Sequence, residues 1–317
     1  MVCRSFPWPP RMIRSARLIV AAGSKRLREL LGVEFGGVQT GAEVSMLIWM
    51  AMKLSQRSPR FKRWLWRRWY QYLAGYRVAD WRFMNYGYAG PEAGEPPLIL
   101  QAEDEPDRYA IQLYHRVAEA VDLIGRDVLE VGSGRGGGAS FVKRYHLPAH
   151  MTGADVSAKA IQFCREHHHV DDLSFLQGDA EALPLSPESF DAVINVESSH
   201  CYGSMPAFLS EVNRVLRPGG HFLFADLRAT QECDCLHAQL VESGMQILER
   251  QDITHQVLAA LRRDSERKLA MIQGWVSQRM IGTFRQFAGI EGSDIYAGFQ
   301  NDTVRYVRYA LQKQPSA

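Results

Sequence analysis

The chain has 317 residues, of which 46% are hydrophobic and 23% charged, with a formal net charge of +2. This composition is typical of a globular protein, and the absence of an apolar run of about 18 residues excludes a transmembrane helix. The near-neutral total also argues against a uniformly basic nucleic-acid binder, so no nucleic-acid partner is expected.

The charge is unevenly distributed along the chain. Residues 1–77 hold 15 Lys and Arg against 3 acids, whereas the rest holds 22 against 32. Within this basic head, the apolar run Val44–Leu54 precedes the basic and aromatic run Phe61–Leu73. That pattern is typical of a helix in a membrane interface, so Lys53–Arg68 predicts peripheral membrane contact. The alternative is a helix that caps the folded domain, and the first 28 residues also leave a transit peptide open.

Composition divides the chain into three parts. We expect an extension over 1–57, a helical cap and linker over 58–104, and the main domain over 105–317. A helix is predicted to begin near Glu105, with Pro106 in its first turn. Short apolar runs then alternate with helical segments, which favours a parallel sheet covered by helices. The predicted strands are Asp127–Val131, His150–Ala154, Leu173–Leu176, Phe190–Val196 and His221–Ala225.

Beyond these strands, the segment 230–298 is too long for one helix between strands. Its middle portion, DITHQVLAALRRDSERKLAMIQGWVSQRMIGTFRQFAG, has the pattern of two amphipathic helices and predicts a helical lid, with core packing as the alternative. The last apolar alternation, TVRYVRYALQK, predicts an edge strand that completes the sheet.

The clearest local motif is VLEVGSGRGGGAS, residues 128–140. A buried strand ends at Val131, and Gly132, Gly134 and Gly136 form a tight turn in which side chains would keep a ligand from the backbone. The same glycines also fit a dinucleotide-binding pattern, so the loop alone does not distinguish a nicotinamide cofactor from a methyl donor.

Acidic residues after the strands favour S-adenosylmethionine as the cofactor. Glu130 precedes the loop, where a carboxylate can order it and approach the ammonium of the donor. Asp155 ends the second strand and can accept hydrogen bonds from both ribose hydroxyls. After the third strand, Asp179 and Ala180 are placed to hold the adenine edge. The predicted donor site also includes Val156, Asn195 and, from the leading helix, Tyr114.

These motifs resemble, in order, those of the class I S-adenosylmethionine-dependent methyltransferases. The segments EPDRYAIQLYHR, GRGGGASF, NVESSHCY and RPGGHFLFADLR are similar to the phthiotriol and phenolphthiotriol dimycocerosate methyltransferases and related bacterial lipid methyltransferases, from Phe61 to about Lys313. The resemblance implies a Rossmann-like α/β fold: a seven-stranded, mostly parallel sheet with helices on both faces, an N-terminal helical extension and a helical lid insertion. It also implies a hydrophobic small-molecule or lipid acceptor.

The strand FDAVINV delivers a polar segment to the carboxyl end of the sheet, where open parallel sheets bind ligands. His200 in that segment is the predicted general base, and Asp226, which ends the next strand, is predicted to orient it. Related O-methyltransferases carry a histidine and an aspartate at these places, which the resemblance extends to His200 and Asp226. The alternative is that His200 only packs over the cofactor.

Metal chemistry is not expected. The consecutive histidines 167–169 cannot all face one ion and predict a solvated surface. The five cysteines are odd in number and scattered, without the spacing of a zinc site or a disulfide framework, so we expect them to be reduced in a cytoplasmic protein, peripheral at a membrane if the basic head binds one.

Three functions remain in competition. The favoured one is O-methylation of a lipid or polyketide-like alcohol or phenol. The second is C-methylation of a quinone, sterol or isoprenoid. The third is a binding module that has the fold without activity. The complete set of donor-site residues argues against this third function.

Overall fold

The computed structural model describes residues 66, 68, 70–73, 75–76, 78–90, 98–278 and 280–315. The extension 1–57 and most of Lys53–Arg68 lie outside these residues, and so does the membrane-contact prediction that depends on them. In the described ranges, no helix is both long and apolar enough for a membrane crossing.

The centre of the fold is a seven-stranded sheet. Its strands are β1 Asp127–Val131, β2 His150–Asp155, β3 Leu173–Gln177, β4 Phe190–Val196, β5 Leu216–Ala229, β6 Gln246–Asp252 and β7 Val304–Gln312. Their order is β3-β2-β1-β4-β5-β7-β6. The first five are parallel, whereas β7 is antiparallel to both β5 and β6. The predicted Rossmann-like, mostly parallel sheet is confirmed.

The prediction of β7 as the edge strand is wrong. Strand β7 pairs with β5 on one side and β6 on the other, so β6 forms the edge. Strand β6, with the sequence QILERQD, was not predicted because charged and amide side chains dominate it. Such residues suit an edge strand, where they discourage pairing with another chain.

Besides the helical residues 70–73, eight helices are described with both of their ends. They are α1 Arg108–Ala118, α2 Gly137–Tyr145, α3 Ala158–His167, α4 Met205–Val215, α5 Cys233–Glu242, α6 Thr254–Trp275, α7 Ile281–Phe287 and α8 Asp294–Gln300. Short 3₁₀ turns lie at Glu105–Asp107, Ser199–Cys201 and Thr230–Glu232. The two amphipathic helices predicted after β6 correspond to α6 and α7.

The sheet is buried on both faces, as a parallel sheet requires. Side chains of α1, α2, α6 and α8 pack on one face, among them Ile111, Phe141, Leu261 and Phe299. Helices α4 and α5 cover the other face with residues such as Phe208 and Leu236. These layers leave the carboxyl ends of β1, β2 and β4 open to ligands, at the point where the strand order reverses.

Three of the five cysteines are free thiols. Cys164, Cys201 and Cys233 are buried and unbonded, in line with the expectation for these three. Cys3 lies outside the described residues.

Candidate active site

A cavity of about 500 Å³ opens at the carboxyl edge of the sheet. The glycine loop, defined as residues 132–138, forms its floor together with the ends of β2 and β4. The described residues of 66–90, which we call the cap segment, form much of the opposite wall. The volume is typical of a small-molecule site.

The glycine loop follows β1 with a backbone that favours glycine. Gly132, Gly134 and Gly136 have φ of +80°, +52° and +79°. A Cβ on Gly132 would overlap the side chain of Ser198, and one on Gly138 would overlap the Tyr114 ring. The loop therefore presents backbone at the cavity floor, because both strain and space exclude side chains there.

Asp155 lies where β2 ends and lines the cavity. Its Oδ2 accepts the N–H of Gly134 at 2.9 Å, and its Oδ1 accepts the N–H of Ser157 at 2.8 Å. Burial raises the pKa of Asp155 to about 6, although these two N–H groups lower it. Each carboxylate oxygen keeps a second lone pair, so the group can still accept two hydroxyl donors such as those of a ribose.

The other predicted adenosine contacts also line the cavity. Val156 follows Asp155, while Asp179 and Ala180 come from the turn after β3. Asp179 Oδ1 accepts the N–H of Glu181 at 3.1 Å, which fixes that turn. The structure therefore brings residues of two separate segments, the end of β2 and the turn after β3, to one end of the cavity.

Two predicted donor-site residues lie behind the cavity wall. Glu130 is fully buried, and its Oε1 accepts the hydroxyl of Tyr114 at 2.6 Å. Asn195 is also fully buried and donates to the carbonyl of Val131 at 2.8 Å. Neither lines the cavity, whereas Tyr114 does. Their geometry suits support of the glycine loop better than direct contact with a ligand.

Several buried polar atoms around the glycine loop have no protein partner. They are Glu130 Oε2, Ser133 Oγ and Asn195 Oδ1. Unpaired buried polar atoms are costly, so a group that brings donors and acceptors to this loop would be stabilised. Ser133 lines the cavity, so its unpaired Oγ, the bare backbone of the loop and the spare lone pairs of Asp155 fit an adenosyl donor with an ammonium and a carboxylate.

His200 and Asp226 meet at the end of the cavity beside β4 and β5. His200 Nδ1 lies 2.7 Å from Asp226 Oδ1, and the backbone N–H of His200 donates to Oδ2 at 2.9 Å. Ser199 Oγ donates to the same Oδ2 at 2.6 Å, and Arg228 is 3.1 Å away. Asp226 is fully buried, whereas His200 lines the cavity.

The surroundings of this pair shift the pKa values of its two members in opposite directions. Burial by itself lowers the pKa of His200, but Cys201 and Asp226 outweigh it and raise the pKa to about 10. Burial likewise raises the pKa of Asp226, but His200 and Arg228 hold it well below its usual range. At neutral pH the pair is therefore an ion pair when the cavity contains no other charge.

Glu197 is a cavity residue that the sequence analysis did not select. Its Oε1 accepts the N–H of Tyr86 at 2.7 Å and the hydroxyl of Tyr306 at 3.0 Å. Burial raises its pKa to about 7. Its φ of +47° is uncommon for a residue other than glycine and occurs where the surrounding structure fixes the chain. The sequence feature that could have identified Glu197 is its place at the end of β4, three residues before His200.

The cap segment supplies the aromatic side of the cavity. The Trp66 ring lies edge-on to His200 at 5.8 Å and stacks on Tyr70 at 5.8 Å. Tyr70 Oη lies 3.7 Å from Cys201 Sγ. Met84 and Tyr86 complete this wall, to which α7 adds Phe287. Trp66 and Tyr70 therefore lie against the folded domain, while the helical cap and linker over 58–104 stays a prediction.

The predicted solvated histidines need one correction. His168 is half-buried, and its Nε2 lies 2.8 Å from the carbonyl oxygen of Arg135 in the glycine loop. His167 instead stacks on Phe163 at 4.0 Å. The two side chains have separate structural roles.

Comparison with known proteins agrees with this geometry. Residues 129–224 match the family model described as a methyltransferase domain. The phthiotriol/phenolphthiotriol dimycocerosates methyltransferase of Mycobacterium tuberculosis is 39% identical over 256 residues, which cover 80% of this chain and 93% of that protein. The fatty-acid O-methyltransferase of Mycolicibacterium smegmatis is 40% identical over 73% of this chain and 83% of that protein.

Among solved structures, the [4+2]-cyclase SpnF is similar with a TM-score of 0.57 and 20% identity. The match covers 83% of this chain and 96% of SpnF. At that identity the likeness concerns the fold alone.

Proposed function

Because this chain belongs to the S-adenosylmethionine-dependent methyltransferases, in the family that contains the phthiotriol/phenolphthiotriol dimycocerosates methyltransferases, we propose that it methylates a hydroxyl oxygen of a hydrophobic, lipid-like acceptor. The observation that carries the proposal is the His200–Asp226 pair at a cavity wall built from Trp66, Tyr70 and Met84. An aromatic wall takes an apolar acceptor, and the adjacent imidazole takes the proton of its hydroxyl.

Residues at one end of the cavity bind the donor, and residues at the other end act on the acceptor. Asp155, with Asp179 and the glycine loop, holds the donor by its adenosine part. The donor supplies an activated methyl group on a sulfonium, whose positive charge also disfavours a second cation on His200. Asp226 fixes the imidazole through Nδ1, which leaves Nε2 to accept the hydroxyl proton while the oxygen gains the methyl group.

The names of the relatives support an acceptor of this class. One relative is named for phthiotriol and phenolphthiotriol dimycocerosates and another for fatty acids. The test is incubation of the full chain with methyl-labelled S-adenosylmethionine and, separately, oleic acid, oleyl alcohol and a lipid extract of the host. A labelled methyl ether of oleyl alcohol or of a lipid in the extract supports the proposal, whereas label only in the methyl ester of oleic acid, or in no product, contradicts it.

C-methylation is the second candidate, because Glu197 and the Trp66, Tyr70 and Tyr86 rings line the same cavity. A carboxylate and aromatic faces can stabilise a carbocation formed when carbon is methylated. Product analysis separates the two reactions, since ether or ester cleavage releases the labelled methyl group from oxygen but not from carbon.

We also propose that the basic head brings the enzyme to an anionic membrane that contains its acceptor. Each basic side chain near such a surface contributes about 1 kcal/mol. Trp66 and Tyr70 line the cavity, so a truncation would damage the site; replacement of Lys53, Arg57, Arg60, Lys62 and Arg63 by Gln is the cleaner change. Sedimentation with phosphatidylserine vesicles should fall in this variant, and equal sedimentation would exclude the membrane role.

A further inference from the structure

Arg135 connects the glycine loop to the cap segment. Its guanidinium donates to the backbone carbonyls of Val78 at 2.9 Å, of Tyr76 at 3.1 Å and of Trp81. We call the described residues of 76–81 the cap loop. One side chain of the glycine loop thus makes three hydrogen bonds to a segment more than 50 residues earlier in the chain.

The surroundings of this guanidinium are unusual for a cation. Arg135 is only 2% exposed, and among the described residues no carboxylate forms an ion pair with it. Its charged carbon lies 3.8 Å from the Phe163 ring centre and 4.8 Å from that of Trp81. Burial lowers its pKa to about 10. The cation is therefore held by carbonyl dipoles and ring faces, and it loses the three carbonyls and the Trp81 ring if the cap loop moves away.

The backbone of Arg135 belongs to the part of the loop that faces the donor. Its neighbour Gly134 donates to Asp155, the proposed ribose ligand. Gly137 donates to the carbonyl of Arg82 at 3.3 Å, and a Cβ there would come within 2.6 Å of that oxygen. The glycine loop and the cap segment are consequently in direct contact at Gly137 and Arg82.

The cap loop in turn lies between the two parts of the cap segment that line the cavity. Tyr70 precedes it, and Met84 and Tyr86 follow it. Tyr86 donates its N–H to Glu197, which extends the connection to the end of β4. A conformational change in the glycine loop can therefore be transmitted through Arg135 to the cavity wall that contains Tyr70, Met84 and Tyr86.

We propose that Arg135 is a positioning residue that holds the cap loop against the glycine loop, so that donor binding orders the wall on which the acceptor binds. The statement that the acceptor binds on this wall rests on the proposed function. The statement that donor binding orders the cap loop needs only the donor and can be tested without an acceptor.

The first test is hydrogen exchange of the full chain with and without S-adenosylhomocysteine. The amides of the cap loop and of residues 82–88 should exchange more slowly with the ligand in the wild type. Arg135→Lys keeps the charge but not the planar fork that reaches three carbonyls, so it should lose this protection at ligand concentrations that calorimetry shows to saturate both proteins. Arg165→Lys is the matched control, because Arg165 also donates to a backbone carbonyl, that of Phe175, away from the cap segment.

Absence of ligand-dependent protection in the wild type, or its persistence in Arg135→Lys, would overturn the proposal. Arg135→Gln, which can reach one carbonyl but not three, is the second variant if the lysine variant does not fold. Neither outcome depends on which acceptor the enzyme methylates.

The second test measures the affinity for oleic acid and for oleyl alcohol with and without S-adenosylhomocysteine. A coupling of about fivefold or more is expected in the wild type and in Arg165→Lys, and none in Arg135→Lys. Equal coupling in all three proteins would contradict the role of Arg135. If neither oleic acid nor oleyl alcohol binds any of them, the proposed acceptor class fails, while the exchange experiment still decides the role of Arg135.

Discussion

His200 Nδ1 lies 2.7 Å from Asp226 Oδ1, and the backbone N–H of the same histidine donates to the other oxygen of that carboxylate. This double contact fixes the ring in one orientation. A second His–Asp pair of the same length, His150 with Asp127, lies far from the cavity, where β1 and β2 begin. The chain thus contains its own control for the effect of such a pair.

We predict that His200→Ala lowers kcat by about 10²- to 10⁴-fold, because it removes the proton acceptor. Donor affinity, measured by calorimetry, should stay near that of the wild type. His150→Ala should leave both quantities unchanged. If His200→Ala retained most of its turnover at every pH, the histidine would only pack against the cavity.

The pH dependence of kcat/KM for S-adenosylmethionine, which reports the donor-free enzyme, tests the same assignment. In the donor-free enzyme the pKa of His200 is raised to about 10. His200 must lose its proton before it can act as a base, so kcat/KM should rise about tenfold per pH unit below pH 10. Asp226→Asn removes a charge that raises this pKa, so the rise should end at lower pH. A wild-type profile that becomes flat near pH 7 would instead point to Glu197, whose pKa is about 7.

Asp155→Asn should weaken S-adenosylhomocysteine binding by about 1.5 to 3 kcal/mol, because charge-assisted hydrogen bonds to the ribose are lost. The exposed Asp171, in the turn before β3, provides the control as Asp171→Asn. Calorimetry measures both affinities. Unchanged affinity in Asp155→Asn would remove this residue from the donor site.

The donor-free protein should become less stable as the pH rises from about 4.5 to about 7. Burial raises the pKa of Glu130 from 4.5 to about 7. The unfolded chain therefore releases this proton at lower pH than the folded one, and Glu130 contributes a fall of about 3 kcal/mol in the free energy of unfolding across that window, to which Asp155 and Glu197 add.

Glu130→Gln should reduce that fall, because an amide does not titrate and can still accept the Tyr114 hydroxyl. Urea unfolding at pH 5 and pH 8 gives the comparison, with the wild type losing more free energy than the variant. The same dependence in both proteins would contradict the buried, protonated state of Glu130.

The sequence by itself determined the positions of the five parallel strands along the chain and the strand ends at which the predicted ligand groups lie. Strands β1 and β4 were predicted to the residue, because buried parallel strands are short apolar runs between glycine or polar turns. It also placed Asp155, Asp179 and His200 at strand ends, since polar side chains directly after such runs reach the same edge of the sheet. The charged strand β6 was missed because its edge position removes the apolar pattern.

Only the tertiary structure decided which side chains reach the cavity and with what charge. Glu130 and Asn195 lie behind the wall because their strand positions point into the protein, which residue type and spacing do not reveal. Trp66, Tyr70 and Arg135 act with partners far away in sequence, so no local pattern predicts them. The protonation of His200 and Glu197 likewise depends on burial and on neighbours from other strands, and these exist only once the chain has folded.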